Sequence, residues 1–307
     1  MHLILTSYLD VTTDMLIDRI GNKAIRVNND RPQDHEIQVC QEGFRIIDKH
    51  GRAVNEKSLR TAIIRKPAPM TNDTRDEAIH SFRETSTAHA SLLQLIEHAW
   101  PEKLPISPSR IREVTKFVQL FAAKGIFTVA PWAFTTHPIR SGLPEDVVIK
   151  TLGGMPFSPG IGSESATFIY VQPVRISELA EGYPWFLQEP IPARFDVTVL
   201  YIDGKMFAQR LDRQSFTGLD WRKHIGTEMD NGWENVVLPD GLSRRIEAYM
   251  GKLDLRFGRL DFLAPGDNLE DALFLEVNPN GQWAWMDIKM NNGIFDAMIE
   301  FLCRPAK

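Results

Sequence analysis

Cysteine is scarce in this chain of 307 residues, which holds only Cys40 and Cys303. The two lie far apart and outside any spacing typical of metal ligands, so the sequence supports neither a disulfide framework nor a zinc site. The eight histidines show no paired spacing such as His-x3-His, which argues against a histidine metal centre and a Ser-His-Asp hydrolase. We therefore expect reduced thiols and a cytoplasmic protein.

Long apolar runs and an excess of positive charge are also missing. No run approaches the ~20 apolar residues that a membrane-spanning helix needs, and residues 1–10 lack the basic start and apolar stretch of a secretory signal. The formal net charge is −5, and lysines and arginines are spread along the chain. This distribution gives no basic cluster of the kind that binds nucleic acid. We expect neither nucleic acid nor a membrane as a partner.

The composition is otherwise that of a globular protein, with 43% apolar and 24% charged residues, and the length favours about two domains. Strand, helix and strand patterns within residues 3–27 predict a β-α-β opening. A strand at 61–64 and a long helix at 75–98 complete a first unit, which we place at about 1–100. The predicted fold class is therefore α/β, of the mixed α+β kind.

A proline-rich stretch at 101–108 marks a boundary after this unit. Beyond it, apolar residues recur at helical spacing from Ile111 to Phe121, which predicts one helix that continues up to Gly125. A strand is then expected to begin at Phe127. Helix followed by strand is thus the predicted order.

A glycine-rich segment follows the predicted strand 147–150. Residues 151–165 hold Gly153 and Gly154 among other glycines, and the strand ends in Lys150. Glycines let backbone N–H groups approach phosphate oxygens, and a lysine adds a point charge. The segment matches neither Gly-x4-Gly-Lys-Ser/Thr nor Gly-x-Gly-x-x-Gly. Two interpretations therefore stay open, a cover over phosphates and an ordinary surface loop.

The next part of the chain predicts a mostly antiparallel sheet. Strands are expected at 167–172 and 186–189. Alternating apolar residues at 196–201 and 206–210 predict a hairpin, because Asp203-Gly204 between them is a favoured two-residue turn.

Three hard oxygen ligands stand in a second predicted hairpin, within 258–283. Glu276 and Asn278 are two residues apart in an extended stretch and so point to the same face. A register that pairs Asp261 with position 274 or 276 adds it to that face. Two carboxylates and an amide oxygen suit Mg²⁺, which commonly bridges protein carboxylates to substrate phosphates. The alternative is a polar edge hairpin, because Asp and Asn are common near turns.

Taken in chain order, a helix lysine, a strand lysine, the glycine-rich loop, a strand end, an aspartate and the metal triplet resemble the ATP-grasp superfamily. The resemblance covers most of 101–307. It implies ATP and Mg²⁺ as cofactors and an ATP-grasp fold that follows an N-terminal α/β pre-ATP-grasp domain. We expect that domain at 1–100, a central subdomain with the glycine-rich loop at 101–180, and a C-terminal subdomain with the metal site at 181–307.

The resemblance also implies a role for individual residues. Two lysines and the glycines would contact phosphates, the strand end would present backbone groups to adenine, and Asp196 would bind the ribose. Lys116 equally fits a solvated lysine and Asp196 fits turn chemistry, so these alternatives stay open. The implied nucleotide residues are Lys116, Lys150, Gly153, Gly154, Gln188, Glu189, Ile191 and Asp196, and the implied metal ligands are Asp261, Glu276 and Asn278.

Within the superfamily, three features look similar to the ligases that close macrocycles in graspetides. They are the tail Phe-Leu-Glu-Val-Asn-Pro-Asn-Gly-Gln-Trp at 274–283, the triplet Asp220-Trp221-Arg222, and Thr6 with Asp10. This resemblance implies that ATP phosphorylates an Asp or Glu side chain of a ribosomal precursor peptide. A Ser or Thr hydroxyl or a Lys amine of the same peptide would then displace phosphate. It also implies homodimer formation.

One motif departs from the family. Related macrocyclases typically carry Lys-x-x-Asp/Glu-x-Arg after the adenine segment, whereas residues 193–198 are Ala-Arg-Phe-Asp-Val-Thr. In the family that arginine lies near the terminal phosphate and the acyl phosphate, and here Thr198 takes its position. Either phosphoryl transfer is then weaker, or the task of that arginine passes to Arg194, Arg210 or Arg213.

Other interpretations remain beside the macrocycle ligase. Arg222 suits carboxylate recognition through two parallel hydrogen bonds, and it equally suits a surface salt bridge. Trp283 and Trp285 are expected to be packing residues. A ligase that adds a free amino acid to a peptide or small carboxylate is an alternative enzyme. A nucleotide-regulated peptide-binding protein without catalysis is the alternative outside enzymes, because Ala193 and Thr198 depart from the motif.

Overall fold

The computed structural model describes residues 1–68, 75–150, 152, 171–216, 218–224, 232–288 and 291–303. Gly153 and Gly154 lie outside the described residues, and so does most of the strand predicted at 167–172. In the part that is described, no helix combines the length and the apolar composition needed to cross a membrane.

The first part of the chain forms two small sheets and a long helix. The predicted β-α-β opening is confirmed, because the first strand pairs in parallel with the second and also with the sixth. The third, fourth and fifth strands form a separate antiparallel sheet. The elements are β1 (His2–Thr6), α1 (Val11–Ile20), β2 (Ala24–Asn28), β3 (His35–Cys40), β4 (Gly43–Asp48), β5 (Ala53–Asn55), β6 (Thr61–Ile64) and α2 (Asp76–Ala99).

The central part contains two short helices and an antiparallel sheet of four strands in the order β7-β10-β8-β9. Ser107 caps the first of these helices, since its hydroxyl accepts a hydrogen bond from the backbone N–H of Arg110, and Pro108 occupies the first helical position. The elements are α3 (Pro108–Glu113), α4 (Lys116–Ala123), β7 (Trp132–Thr135), β8 (Asp146–Lys150), β9 (Gln172–Arg175) and β10 (Trp185–Gln188).

The prediction of one continuous helix from Ile111 towards Gly125 was wrong, because the helix breaks between α3 and α4. Gln119 explains the break. Its side-chain amide donates to the carbonyl oxygen of Val114 (3.1 Å) and accepts from the backbone N–H of Val277 (3.0 Å). These bonds tie the break to a distant strand, and α4 consequently begins at Lys116.

The C-terminal part is built on a five-stranded antiparallel sheet in the order β13-β12-β11-β14-β15. The predicted hairpin is confirmed, with Asp203 and Gly204 both at positive φ (48° and 92°) in its turn. The elements are β11 (Phe195–Ile202), β12 (Lys205–Asp212), β13 (Trp233–Val236), α5 (Asp240–Lys252), β14 (Phe257–Ala264), β15 (Leu273–Asn278), α6 (Ala284–Ile288) and α7 (Ile294–Cys303).

The two faces of this sheet differ, because side chains alternate along each strand. The first face carries Val197 and Leu260 and packs against α5. The second face is divided along its length. At one end Leu200 and Phe257 pack with residues of α6 and α7, and at the other end the side chains are polar. The polar end is therefore the part of this face that can line a site.

The core under the first face contains an aromatic cluster. Phe274 of β15 lies 5.1 Å from Phe127, 4.9 Å from Tyr249 and 5.6 Å from Phe262, measured between ring centroids. The strand predicted to begin at Phe127 was wrong. The ring of Phe127 enters the cluster, and the carbonyl oxygen of the neighbouring Thr128 accepts a hydrogen bond from the backbone N–H of Phe274 (2.9 Å). The next strand therefore starts at β7.

We predict that Phe274→Ala lowers the free energy of unfolding by about 3–5 kcal/mol, because it empties a fully buried position among three aromatic rings. Phe121→Ala is the matched control. Its ring is 72% exposed, so we expect a change within about 0.5 kcal/mol. Denaturant unfolding measures both, and equal effects of the two substitutions would contradict this account of the core.

Candidate active site

A cavity of about 770 Å³ lies where the central sheet meets the polar end of the C-terminal sheet. Its walls come from α4, β8, β10, β11, β14 and β15 and from the segment around Asp220. Ten of the predicted site residues line it: Lys116, Lys150, Gln188, Glu189, Ile191, Asp196, Arg213, Arg222, Asp261 and Glu276.

The two predicted carboxylate ligands are cross-strand neighbours, since Asp261 of β14 pairs with Glu276 of β15. Phe262 pairs with Phe274, so Leu275 is an extra residue on β15 and forms a β-bulge. The bulge explains why both Leu275 and Glu276 line the cavity while Phe274 stays in the core. One irregularity thus directs the carboxylate of Glu276 away from the core.

The donor atoms fit a hard cation such as Mg²⁺, which prefers oxygen ligands. Among the described residues, no group of three or more His, Cys, Asp or Glu is placed to hold a metal ion. Asp261 and Glu276 would therefore need an amide oxygen or phosphate oxygens to complete the coordination. Asn278 does not line the cavity. Its side-chain oxygen accepts a hydrogen bond from the backbone N–H of Asn280 (3.2 Å).

Both predicted lysines are partly buried and have polar partners. Lys116, at the start of α4, forms an ion pair with Glu276. Although burial opposes the shift, the charges of Lys116, Lys150 and Arg259 hold the pKa of Glu276 well below its usual range. Lys150 donates to the side-chain oxygen of Gln188 (2.7 Å). Burial, and then the charge of Lys116, lower the pKa of Lys150 to about 8.

The predicted ribose ligand Asp196 is 13% exposed and accepts a hydrogen bond from Arg213 (2.7 Å). Burial raises the pKa of Asp196 to about 7, against the opposing charge of Arg213. The backbone of β10 ends beside it at Gln188, and the apolar side chain of Ile191 lines the same wall. This end of the cavity combines one carboxyl group with apolar surface.

Arg222 makes a local ion pair, because its Nε and a terminal nitrogen bind the two carboxylate oxygens of Asp220 (2.8 and 2.5 Å). Although burial opposes the shift, these bonds hold the pKa of Asp220 below its usual range. Trp221 between them packs against Trp233 and Trp285, with centroids 5.2 and 5.7 Å away. The triplet therefore forms one wall of the cavity, and the side chain of Arg222 is 46% exposed.

The structure does not bring Arg194 or Arg210 to the cavity. Arg210 pairs with Val197 across the strands and so lies on the opposite face of the sheet from Asp196. Both arginines bind the carboxylate of Asp267, at 2.7 Å and 3.3 Å.

Two arginines, one in the cavity and one next to the strand that carries Glu276, were missing from the sequence-based prediction. Arg259 lines the cavity and donates to Asp261 (3.1 Å), and its position two residues before Asp261 on a strand was the available signal. Arg65 follows β6 and is 1% exposed. Local patterns gave no signal for Arg65, because the hydrogen-bond partners of its guanidinium lie more than 200 residues away.

Arg65 fastens the end of β15 to the N-terminal sheet. Its guanidinium donates to the side chain of Asn280 (3.1 Å), the carbonyl oxygen of Gly281 (3.3 Å) and the side chain of Gln282 (3.2 Å). Its Nε lies 3.9 Å from the buried carboxylate of Asp10. The segment after the metal-ligand strand is thereby held in one position.

We predict that Arg65→Met lowers the free energy of unfolding by about 3–5 kcal/mol, since it removes the guanidinium 3.9 Å from the buried carboxylate of Asp10 and its hydrogen bonds to residues 280–282. Arg45→Met, at an exposed position of β4, should change it by no more than about 0.5 kcal/mol. Chemical denaturation compares the two. If Arg65→Met lowers the free energy of unfolding as little as the control does, the contacts of Arg65 contribute nothing to stability.

Comparisons with known proteins agree with this architecture. No protein-family model and no curated protein matches the sequence. The macrocyclase MdnC of Microcystis aeruginosa MRC, bound with precursor peptide MdnA, matches with a TM-score of 0.79 and 20% identity over 98% of this chain and 99% of that chain. A RiPP-associated ATP-grasp ligase of Chryseobacterium gregarium, in complex with ADP and a leader and core peptide, matches with a TM-score of 0.78 and 22% identity. The match covers 98% of this chain and 96% of that chain. The ATP-grasp ligase PsnB, complexed with a phosphomimetic variant of a minimal precursor, Mg and ADP, matches with a TM-score of 0.69 and 18% identity over 98% of each chain. The chain therefore has the ATP-grasp fold.

Proposed function

We propose that this chain is an ATP-dependent, Mg²⁺-requiring ligase that cross-links side chains of a ribosomally made peptide. The observation that carries the proposal is the pairing of Asp261 with Glu276 inside a cavity that also holds Lys116 and Lys150. Carboxylates that bind a metal and lysines that bind phosphates are what a nucleoside triphosphate requires. The similar solved structures with peptide and ADP support the same substrate classes.

The proposed reaction has two steps. In the first, a carboxylate oxygen of a peptide Asp or Glu attacks the terminal phosphorus of ATP, the bond to the bridging oxygen breaks, and ADP leaves. In the second, a Ser or Thr hydroxyl or a Lys amine attacks the carbonyl carbon of the acyl phosphate. Phosphate leaves with the electron pair of its bond, and the proton of the nucleophile passes to solvent. One ester or amide bond forms for each ATP consumed.

In this proposal the residues of the cavity share the binding of ATP. The end formed by Gln188, Ile191 and Asp196 receives adenosine, because it offers apolar surface and a carboxyl acceptor for ribose hydroxyls. Lys150 donates to Gln188 at this end and lies within reach of the charges of Lys116 and Glu276 at the other, and it binds phosphate oxygens. Mg²⁺ held by Asp261 and Glu276 would offset the negative charge that builds up during phosphoryl transfer.

The side chains around the phosphates prepare the first step. Lys116 and the metal-ligand pair lie at the same end of the cavity, so positive charge is in place where the carboxylate of the peptide must approach ATP. A preorganised charge of this kind stabilises the transition state without rearrangement. Arg222 lines the same cavity and lies within reach of the charges of Glu276 and Asp261, so it is proposed to orient the peptide carboxylate.

Two further features belong to the proposal. The division into an N-terminal domain and two ATP-grasp subdomains, at 1–100, 101–180 and 181–307, and the formation of a homodimer stay predictions from the resemblance. The cytoplasmic location stays a prediction from the sequence.

We predict that affinity for ADP is highest between about pH 7 and pH 8. Asp196, with a pKa of about 7, gains its acceptor charge as the pH rises. Lys150, with a pKa of about 8, loses its phosphate-binding charge as the pH rises further. Calorimetric titration across pH 6–9 measures this. Asp196→Asn should flatten the acid side and Lys150→Met the alkaline side, and an unchanged profile in both variants would refute these assignments.

We predict that the chain, incubated with ATP, Mg²⁺ and a Thr/Ser- and Asp/Glu-rich ribosomal peptide encoded beside it, lowers the peptide mass by one water for each bond formed. Intact-mass measurement and phosphate release follow the reaction. An increase in mass by one amino acid would favour the alternative ligase, and tight binding without turnover would favour the peptide-binding protein.

Glu276→Gln tests the metal site in the same assay. We expect phosphate release to fall at least about 100-fold, because the substitution removes a charged oxygen ligand. Glu234→Gln, on the exposed edge strand β13, is the control and should keep full activity. Full activity of Glu276→Gln would remove the metal assignment.

A further inference from the structure

Arg259 is a cavity cation to which the proposed function assigns no task. Its side chain is 15% exposed. One terminal nitrogen donates to Asp261 (3.1 Å) and the other to the carbonyl oxygen of Gln282 (2.9 Å). Its Nε is buried and has no hydrogen-bond partner among the described residues. Because a guanidinium has five N–H donors in a planar fork, Arg259 keeps donors for an additional anion.

The other two arginines of the cavity are each held by an aspartate that is not a predicted metal ligand. Arg213 donates to Asp196 (2.7 Å), and Arg222 binds Asp220 through two nitrogens (2.8 and 2.5 Å). Among the described residues that line the cavity, Arg259 is therefore the arginine whose guanidinium bonds a predicted metal ligand.

Thr198 and Arg259 bind the same carboxylate from two sides. The hydroxyl of Thr198 donates to Oδ1 of Asp261 (2.9 Å), whereas Arg259 donates to Oδ2. The register pairs Thr198 with Asp261 and Leu200 with Arg259, so Arg259 lies one step further along the same face of the sheet. Strand β11 places an uncharged side chain beside Asp261, and the positive charge comes from the neighbouring strand β14.

We infer that Arg259 contacts the phosphoryl group that is transferred from ATP. Arg259 thereby supplies, from β14, the positive charge that β11 lacks at Thr198. The inference deepens the function proposed above and rests on it. A metal ion on Asp261 and Glu276 would bridge phosphate oxygens, so a guanidinium bonded to Asp261 is within one side-chain length of those oxygens. Two parallel N–H donors then match two phosphate oxygens.

The electrostatic environment agrees with this placement. Burial and then the charges of Arg65 and Arg259 lower the pKa of Lys66 to about 8, and Arg259 is among the charges that lower the pKa of Glu276. Positive potential from Arg259 therefore extends over the metal end of the cavity. Because an arginine stays protonated at every working pH, it offers a constant charge and takes no part in proton transfer.

The test compares Mg·ADP with Mg·ADP plus beryllium fluoride, which imitates the terminal phosphoryl group. Arg259→Gln should leave the affinity for Mg·ADP within about threefold and abolish most of the additional stabilisation by beryllium fluoride, measured by calorimetry and thermal unfolding. Arg259→Lys keeps the charge without the planar fork, so its values should fall between. The single-turnover rate of ADP formation with peptide should fall at least about 100-fold in Arg259→Gln.

Arg256→Gln is the matched control, since Arg256 also binds a carboxylate through two nitrogens, that of Asp203 (3.0 Å each), away from the cavity. It should respond to beryllium fluoride as the natural chain does. If Arg259→Gln weakens Mg·ADP as strongly as the beryllium fluoride complex, or behaves like Arg256→Gln, the inference is overturned. If the unaltered chain forms no cross-linked peptide, the proposed function fails instead, and the nucleotide measurements still decide where Arg259 acts.

Discussion

The candidate active site depends on the cross-strand pairing of Asp261 with Glu276. Two carboxylates on neighbouring strands repel each other unless cations or a metal ion offset their charge. Lys116 and Arg259 provide that charge from a helix and from the same sheet. The bulge at Leu275 is equally necessary, because it lets Glu276 enter the cavity while Phe274 remains in the aromatic core. The charges around Glu276 and the packing of Phe274 in the core therefore both constrain the six residues of β15.

The cavity combines a fixed set of charges with different pKa shifts at its two ends. At the metal end the cations stabilise a charged Glu276. At the other end burial raises the pKa of Asp196 to about 7 in spite of Arg213, so this carboxyl group gains its charge only near neutral pH. This separation suits a ligand with a neutral nucleoside at one end and concentrated negative charge at the other. Because nearly every charged side chain already has a protein partner, the site is held in place by its own hydrogen bonds.

Local patterns predicted much of the fold. The β-α-β opening and the hairpin at Asp203-Gly204 follow from periodicity and turn chemistry over a few residues. The helix break before Lys116 was not predictable, since Gln119 bonds to a strand more than 150 residues away. The irregular backbone at Phe127 was not predictable from local patterns either, because the aromatic cluster that holds its ring is formed by segments distant in the chain.

The sequence by itself determined which donor atoms this protein offers and that Glu276 and Asn278 share one face, because alternation along a strand is a local property. It also identified Asp261 as their partner for a suitable register. Only the tertiary structure decided which cations reach that face. It turned Arg210 to the opposite side of the sheet, set Arg259 beside Asp261, and fastened the end of β15 through Arg65. The physical reason is that strand pairing, register and burial join residues far apart in the chain, and no short pattern records such contacts.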